Sequence, residues 1–418
     1  MPTVLVCTDV FLPLARAISA QRGLRSLAVV TVPHPTGGVP PEALDEVLAA
    51  AVDDVAAGLT AASPVPPEVL AVSVQDAPED VLDFLELAER RGWSDGLPLV
   101  PPSQERVAAA VAASGRPAGE LVGLVPPAHR GATVASVAAN AVMAGCRPEV
   151  VPVVLAAVEA VLRPEFNLQA LTTTTHPVTP LVVVHGPVVE RLGFNSGPNV
   201  FGQGNRANAA VGRALRLVLQ NVGQALPGVT DRATHGTPGK YSSCIAVASD
   251  PPLTSFHAVR GGDEHGAVTV VGGEGPHNVN DHGSTDAAGL LTTLAGALAN
   301  LGSNNVYLRG QVLLVLGPEH AELLERDGYD LERLQAAVHE HPRARVSTAG
   351  VSAGNLSRYR LTAPHVFEAV AADATVPMLD APDRLLVLVA GGPGKHSMIV
   401  PTFGTTTAVT VPVRSAPA

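Results

Sequence analysis

His235-Gly236-Thr237-Pro238-Gly239-Lys240-Tyr241-Ser242-Ser243-Cys244 returns in shorter form as Gly391-Gly392-Pro393-Gly394-Lys395-His396-Ser397, and this echo decides how the chain divides. Of the 27 basic residues only two are lysines, and both occupy the string Pro-Gly-Lys, ring residue, Ser. Lys is a compact, rotatable charge whose pKa falls on burial, so it serves as a base, an amine nucleophile or an anion contact where the planar Arg fork does not. The alternative is an internal duplication whose lysines were never replaced. A strand reading, Ser243 to Ala248, follows the first motif, and another, Arg384 to Val389, feeds the second. Working outward, the apolar run Leu181 to Val184 meets Gly186-Pro187 and a helix, and Gln311 to Leu316 meets Gly317-Pro318 and a helix in the same way. Apolar β-branched runs bounded by Gly and Pro read as central strands. The expectation is an α/β fold with two pseudo-repeated halves, 81–266 and 267–418. Lys240 and Lys395 are expected to meet in the cleft between them, because ligands bind outside the carboxyl ends of strands in such sheets.

The composition excludes several classes. The chain has 418 residues and a net charge of −11, with its arginines scattered, which argues against nucleic acid. Hydrophobic residues make up 46% but aromatics only 3%, so the core is Ala, Val and Leu, the usage of a GC-rich genome. The longest apolar run, Val150 to Leu162, is broken by Pro152 and Glu159 and is too short for a bilayer. The start lacks the basic region and apolar run of a signal peptide. Three cysteines without a CxxC spacing point to a reducing compartment and away from a structural zinc site. The expectation is a cytoplasmic protein outside the membrane.

Several residue sets carry chemistry. Gly202-Gln203-Gly204-Asn205-Arg206-Ala207-Asn208 opens a helix through Leu219. It is no dinucleotide fingerprint, since Asn221 and Gln224 stand where the ribose-binding acid belongs. A Gly-rich turn into a helix N-terminus with Arg206 and Arg213 nearby makes an anion site, to which Gly202, Gly204, Asn208, Asn278 and His176 are added as candidates. The alternative is a loop that merely needs positive φ. Cys146 sits between two helices beside Arg147, and Cys244 lies four residues past Lys240. A nearby cation favours thiolate in either, whereas most free cysteines are small buried hydrophobes. Residues four apart along an extended chain share a face, so Lys240 and Cys244 are expected side by side. His277, Asp281 and His282 share a glycine-rich loop and offer ligands for a divalent metal, although their spacing matches no established pattern; acid–base or substrate-binding roles are the alternative. His257 and His265 lie in a polar loop, and the lone Trp93 reads as a plug or a lid. Thr172 to His176 reads as a strand and Thr405 to Pro412 as an edge strand.

The first 62 residues read as a small βαβα appendage, strands at 3–8 and 27–32 with helices after each, followed by a linker at 63–80. Val6-Cys7-Thr8-Asp9-Val10-Phe11-Leu12-Pro13-Leu14-Ala15-Arg16-Ala17 and Val29-Val30-Thr31-Val32-Pro33-His34-Pro35-Thr36-Gly37-Gly38 resemble the C-terminal part of the UGSC family of (seleno)proteins. The Sec/Cys-Gly-Ser-Cys motif that names the family does not occur in this chain. The resemblance implies thiol-linked reduction or a C–S/C–N lyase step. The function expected is therefore an enzyme acting on a small anionic metabolite. Lys240, Lys395, His277 or His396 would move protons, and Cys146 or Cys244 would supply a thiol. One alternative is a metal-dependent hydrolase or lyase using the His277–His282 loop. Another is a non-catalytic, ligand-binding subunit, either homo-oligomeric or with the redox motif on a partner chain.

Overall fold

A computed structural model describes residues 3–21, 24, 27–36, 41–60, 74–256, 265–371 and 373–414. Gly37, Gly38, most of the expected linker and His257 lie outside them. The chain forms two compact units, Met1–Pro67 and Glu68–Ala418.

In the first unit, β1 (Val4–Thr8) pairs in parallel with β2 (Ala28–Val32), in register from Val4 opposite Ala28 to Thr8 opposite Val32. Helix α1 (Leu12–Gln21) connects them and α2 (Pro41–Thr60) follows. Parallel neighbours need such a crossover, and the βαβα order read from the sequence is the one found. Val30, Val32 and Ala51 are buried against Val4, Val47 and Val55. Gly58 lets the helix approach the sheet, since a Cβ there would sit 2.6 Å from the Val4 side chain.

The second unit begins with α3 (Val81–Arg90), α4 (Gln104–Ser114), the hairpin β3 (Leu121–Val125) and β4 (Arg130–Thr133), then α5 (Val134–Met143), α6 (Val151–Val161) and α7 (Leu168–Thr173). The strand expected at 172–176 is thus partly helix. The hydroxyls of Thr172 and Thr173 bond back to the carbonyls of Leu168 and Gln169, both at 2.8 Å, and so find partners within the helix. There follow β5 (Thr179–His185), α8 (Val188–Leu192), α9 (Arg206–Asn221), β6 (Cys244–Ala246), β7 (Ala267–Gly273), β8 (His277–Asn280) and α10 (Ala287–Leu298). The remainder runs β9 (Val312–Leu316), α11 (Pro318–Arg326), α12 (Leu331–Glu340), β10 (Arg345–Ser347), α13 (Ala353–Thr362), α14 (Pro364–Phe367), β11 (Thr375–Pro377), β12 (Leu385–Val389), β13 (His396–Val400) and β14 (Val409–Pro412).

Two four-stranded sheets carry the unit, ordered β14-β7-β5-β6 and β12-β9-β13-β8. They share one pattern of directions. A parallel pair (β5 with β6, β9 with β12) forms one side, and an antiparallel strand (β7, β13) lies against its inner member. The fourth strand arrives from the other sheet's chain. β8 leaves β7 and pairs with β13, while β14 leaves the β13 side and pairs with β7. The chains cross at Gly273, bridged to Thr402, with Glu274 N donating to Pro401 O (2.8 Å) and Phe403 N to Gly272 O (3.0 Å). The division expected at 266/267 therefore separates β7 from its own sheet. All seven residues of β7 are buried, and it is flanked by β5 on one side and β14 on the other.

Side chains alternate across a strand, so β5 and β6 serve two cores. Val182, Val184, Cys244 and Ala246 face the core built with α5, α6 and α9; Leu181, Val183 and Ile245 face the core shared with β9, β12 and α10. No helix among the described residues is long and apolar enough to cross a membrane.

Candidate functional site

The carboxyl ends of the two parallel pairs adjoin. Ala248 N, beyond β6, donates to Val389 O at the end of β12 (3.1 Å), and Gly391 N donates to Ser196 O of the loop after α8 (2.8 Å). That loop carries Gly202 and Gly204, while the turn after β12 carries Gly391 to Lys395. Gly391 and Gly394 hold φ of 117° and 136°, values that only glycine adopts freely. The turn packs closely on β9, and a Cβ on Gly317 would run into the His396 carbonyl oxygen.

Three cationic or imidazole side chains gather beside this turn. His396 stands opposite Asn280 in the β13–β8 ladder, which brings it to Asn278 and His282. His396 Nε2 lies 3.3 Å from His282 Nε2, the rings being edge-to-face. His396 Nδ1 lies 3.1 Å from Asn278 Oδ1. A carbonyl oxygen only accepts, so Nδ1 carries the hydrogen and Nε2 of the neutral ring presents its lone pair. Lys395 Nζ donates to His282 O at 3.4 Å and is half-buried, while both histidines are exposed.

Beneath them lies a buried relay. His320 Nε2 is 3.2 Å from Asp281 O, which makes that nitrogen the donor, so Nδ1 accepts from Ser397 Oγ (2.8 Å), which in turn accepts from Gly317 N (3.2 Å). Burial lowers the His320 pKa below the ordinary histidine value, the Asp281 contacts opposing only in part. Serine, histidine and aspartate stand in sequence here, but not as a hydrolytic triad. The Asp281 carboxylate accepts from Ser284 N (2.9 Å) and Ser284 Oγ (2.8 Å) instead, and Ser397 is 3% exposed. Burial pushes the Asp281 pKa up, and hydrogen bonds from Thr293, Ser284 and Gly283 together outweigh it and hold the carboxyl below its usual range.

Lys240 has a different setting, at the amino end of β5, where Thr179 Oγ1 donates to Gly239 O at 3.4 Å. Its Nζ donates to both oxygens of the buried Asp231 (2.7 and 2.8 Å), which also accepts from Arg216 (3.4 Å). Burial lowers the Lys240 pKa; Asp231 opposes that and Arg216 reinforces it. The two lysines therefore do not hold equivalent places. Lys240 precedes the edge strand of its sheet, and Lys395 follows the edge strand of the other. Lys240 also does not lie beside Cys244, because Pro238–Lys240 form a 3-10 turn and Cys244 points into the helical core.

Both candidate thiols are buried there. Burial pushes the Cys146 pKa up to about 12 against the opposing charge of Arg206, and it raises Cys244 further, with Cys146 adding to the effect. The cation expected to activate Cys146, Arg147, is not among the causes.

Of the anion site expected on α9, Arg213 and Asn208 are engaged within the protein. Arg213 gives Nε and Nη2 to the Asp95 carboxylate (both 2.8 Å) and further donors to Leu97 O and Pro98 O, pinning the Trp93–Pro98 turn to the helix. Asn208 is buried and bonds both ways with the Asn195 backbone (2.8 and 2.9 Å). Arg206 is exposed and donates Nε to Gly145 O (2.9 Å). Asn205 caps the helix by accepting from Asn208 N. His176 pairs with Glu274 (2.8 Å) and stacks on Phe403 at the strand crossing. His277 pairs with Ile399 in the β8–β13 ladder and lines a cavity of about 300 Å³ with Asn300, Ser303, Met378 and Ile399 at the amino end of β9, which His282, beyond the end of β8, does not line. That cavity is lined by neither a lysine nor a second histidine. Among the described residues no three His, Cys, Asp or Glu converge as metal ligands, so the set His277, Asp281 and His282 is not assembled.

The sequence reading missed His320 and Ser397, and nothing local marked them beyond Ser397 closing the second motif. Residues 1–61 match the model of the UGSC family. No curated protein and no solved structure matches this chain. The resemblance read from Val6–Ala17 and Val29–Gly38 is thus matched in the N-terminal unit, which is similar to the UGSC family over residues 1–61.

Proposed function

We propose that the chain is an enzyme that abstracts a proton from a small anionic substrate at the carboxyl ends of β9 and β12, in a C–S or C–N lyase step. His396 is the base, Lys395 holds the substrate's anionic group and His282 returns a proton to the leaving group. The observation that carries this reading is the Asn278 contact, which leaves a lone pair on an exposed ring beside a lysine and a second imidazole. A base held in one tautomer next to a point charge suits removal of a proton α to a carboxylate, which the ammonium binds and orients. Asn278 is retained from the sequence reading as a positioning residue. A thiol step is left out, because burial favours the neutral form of both Cys146 and Cys244.

The test is solvent-deuterium exchange, followed by NMR, with amino and thio carboxylates offered to the purified chain. Exchange at the carbon next to the carboxylate is expected, falling about 100-fold or more in His396→Gln. Lys395→Met should act mainly through KM. Exchange or turnover that survives intact in both variants would overturn the assignment.

A further inference from the structure

The spacing of His282 and His396 is long for the bond it would otherwise be. An N–H donor reaches its acceptor at about 2.7–3.2 Å, most often near 2.9–3.0 Å, whereas these nitrogens are 3.3 Å apart. Two imidazole nitrogens on one tetrahedral metal, each at about 2.0–2.1 Å, stand about 3.3–3.4 Å from each other. Ring centres lie roughly 1.1 Å behind Nε2, so they should be about 5.2 Å apart when both rings converge on one metal at the tetrahedral angle and about 5.5 Å apart for a collinear contact. The observed separation is 5.1 Å. The two separations are those of rings that converge on one shared point beside the line joining them. Metal-bound histidines also commonly give their other N–H to a carbonyl or carboxylate that fixes the tautomer, and Asn278 Oδ1 does this for His396.

We propose that His282 and His396 form a two-histidine site for a divalent transition metal that imidazole favours, of the zinc, copper or nickel type. Asn278 positions His396 there, and the remaining coordination positions are open to water or to an anionic ligand. Lys395 is turned onto the His282 carbonyl, where its charge favours an anion in an open position. This differs from the trio on the His277–His282 loop: β-pairing between β8 and β13, not loop spacing, builds the pair. Metal binding needs no substrate and stands apart from the lyase reading. One consequence rests on that reading: a metal takes the lone pair that His396 would use as base, so it blocks proton abstraction.

The full chain, stripped with a chelator and dialysed, is titrated with zinc chloride in competition with a chromophoric chelator. One equivalent is expected to bind, with affinity at least tenfold weaker in His282→Gln and in His396→Gln and about 10–100-fold weaker in Asn278→Ala. His277→Gln, in the cavity at the amino end of β9, should bind as the unaltered chain does. Circular dichroism of each variant separates lost ligation from lost fold, and the ligands' exposure lets both substitutions fold. Absence of a bound equivalent, or zinc binding unchanged in both ligand variants, would overturn the site. If zinc binds as expected but deuterium exchange persists at saturation, the site stands and the role of His396 as base fails.

Discussion

The two Pro-Gly-Lys strings have the same letters and opposite surroundings. Lys240 ends against both oxygens of a carboxylate that is 6% exposed, with Arg216 on the same group. Lys395 ends against one backbone carbonyl, beside two exposed histidines. The difference follows from where each string falls in its sheet. The first enters an edge strand at the amino end of β5, where the Leu226–Asp231 turn supplies an acid. The second leaves an edge strand at the carboxyl end of β12, where a Gly-rich turn faces another Gly-rich loop. The two lysines in a chain of arginines thus sit differently: one ammonium closes a buried ion pair and the other is half-buried beside two exposed imidazoles.

The largest expected effect tests the closed side. Asp231→Asn leaves Lys240 and Arg216 both uncompensated, and breaking a buried pair this way costs about 3–5 kcal/mol. Urea unfolding should show the lowered midpoint, and Lys240→Met should lose less, because Arg216 still neutralises Asp231. A loss below about 1 kcal/mol in Asp231→Asn would mean that the pair is open to water and that the contrast between the lysines is false.

A smaller effect is expected where the open side is pressed against β9. Gly317→Ala puts a methyl group into the His396 carbonyl, and a forced shift of this kind costs typically about 1–3 kcal/mol. Because the carbonyl belongs to His396 itself, zinc affinity should drop with stability. Lost stability with unaltered zinc affinity would show that β9 takes up the strain and His396 stays in place.

The buried relay of Ser397, His320 and the Asp281 carbonyl gives a pH effect. His320 has a folded pKa below the ordinary histidine value, mainly through burial. The unfolded chain then binds the proton more readily, so stability is full above about pH 6.5 and falls as pH drops from there through the folded pKa. His129 is shifted down by burial as well and contributes to the same window. His320→Asn should flatten the decline of melting temperature between pH 7 and 5 without removing it. An unchanged slope would assign the window to His129.

Much of this was legible locally. Leu181–Val184 announces a central strand and Leu386–Val389 a strand that proves to be an edge, both through β-branched and aliphatic runs, and Asp80, Ser103 and Asp286 cap helices. The exchange of β8 and β14 was not legible, because pairing partners more than a hundred residues apart leave no periodic trace. The site divides the same way. Lys395 and His396 stood out by composition, but their union with Asn278 and His282 depends on that exchanged strand. Arg213 looked like an anion ligand because nothing near it in sequence signals Asp95, its partner on a distant turn.

The smallest expected effect is the sharpest test of the comparison. Lys395→Met removes a half-buried ammonium whose one hydrogen bond, at 3.4 Å to His282 O, is long for a charged donor. No carboxylate is left unpaired by the change, and the methionine stem replaces most of the lysine's aliphatic packing. Stability should therefore move by no more than about 0.5 kcal/mol, as for a surface substitution. Measured in the same urea series, Lys240→Met should exceed it several-fold. Equal losses would make both lysines structural and remove the ammonium from the proposed site. A negligible loss in Lys395→Met combined with a raised KM in the exchange assay would separate the two roles, with one lysine holding the fold and the other free for an anion.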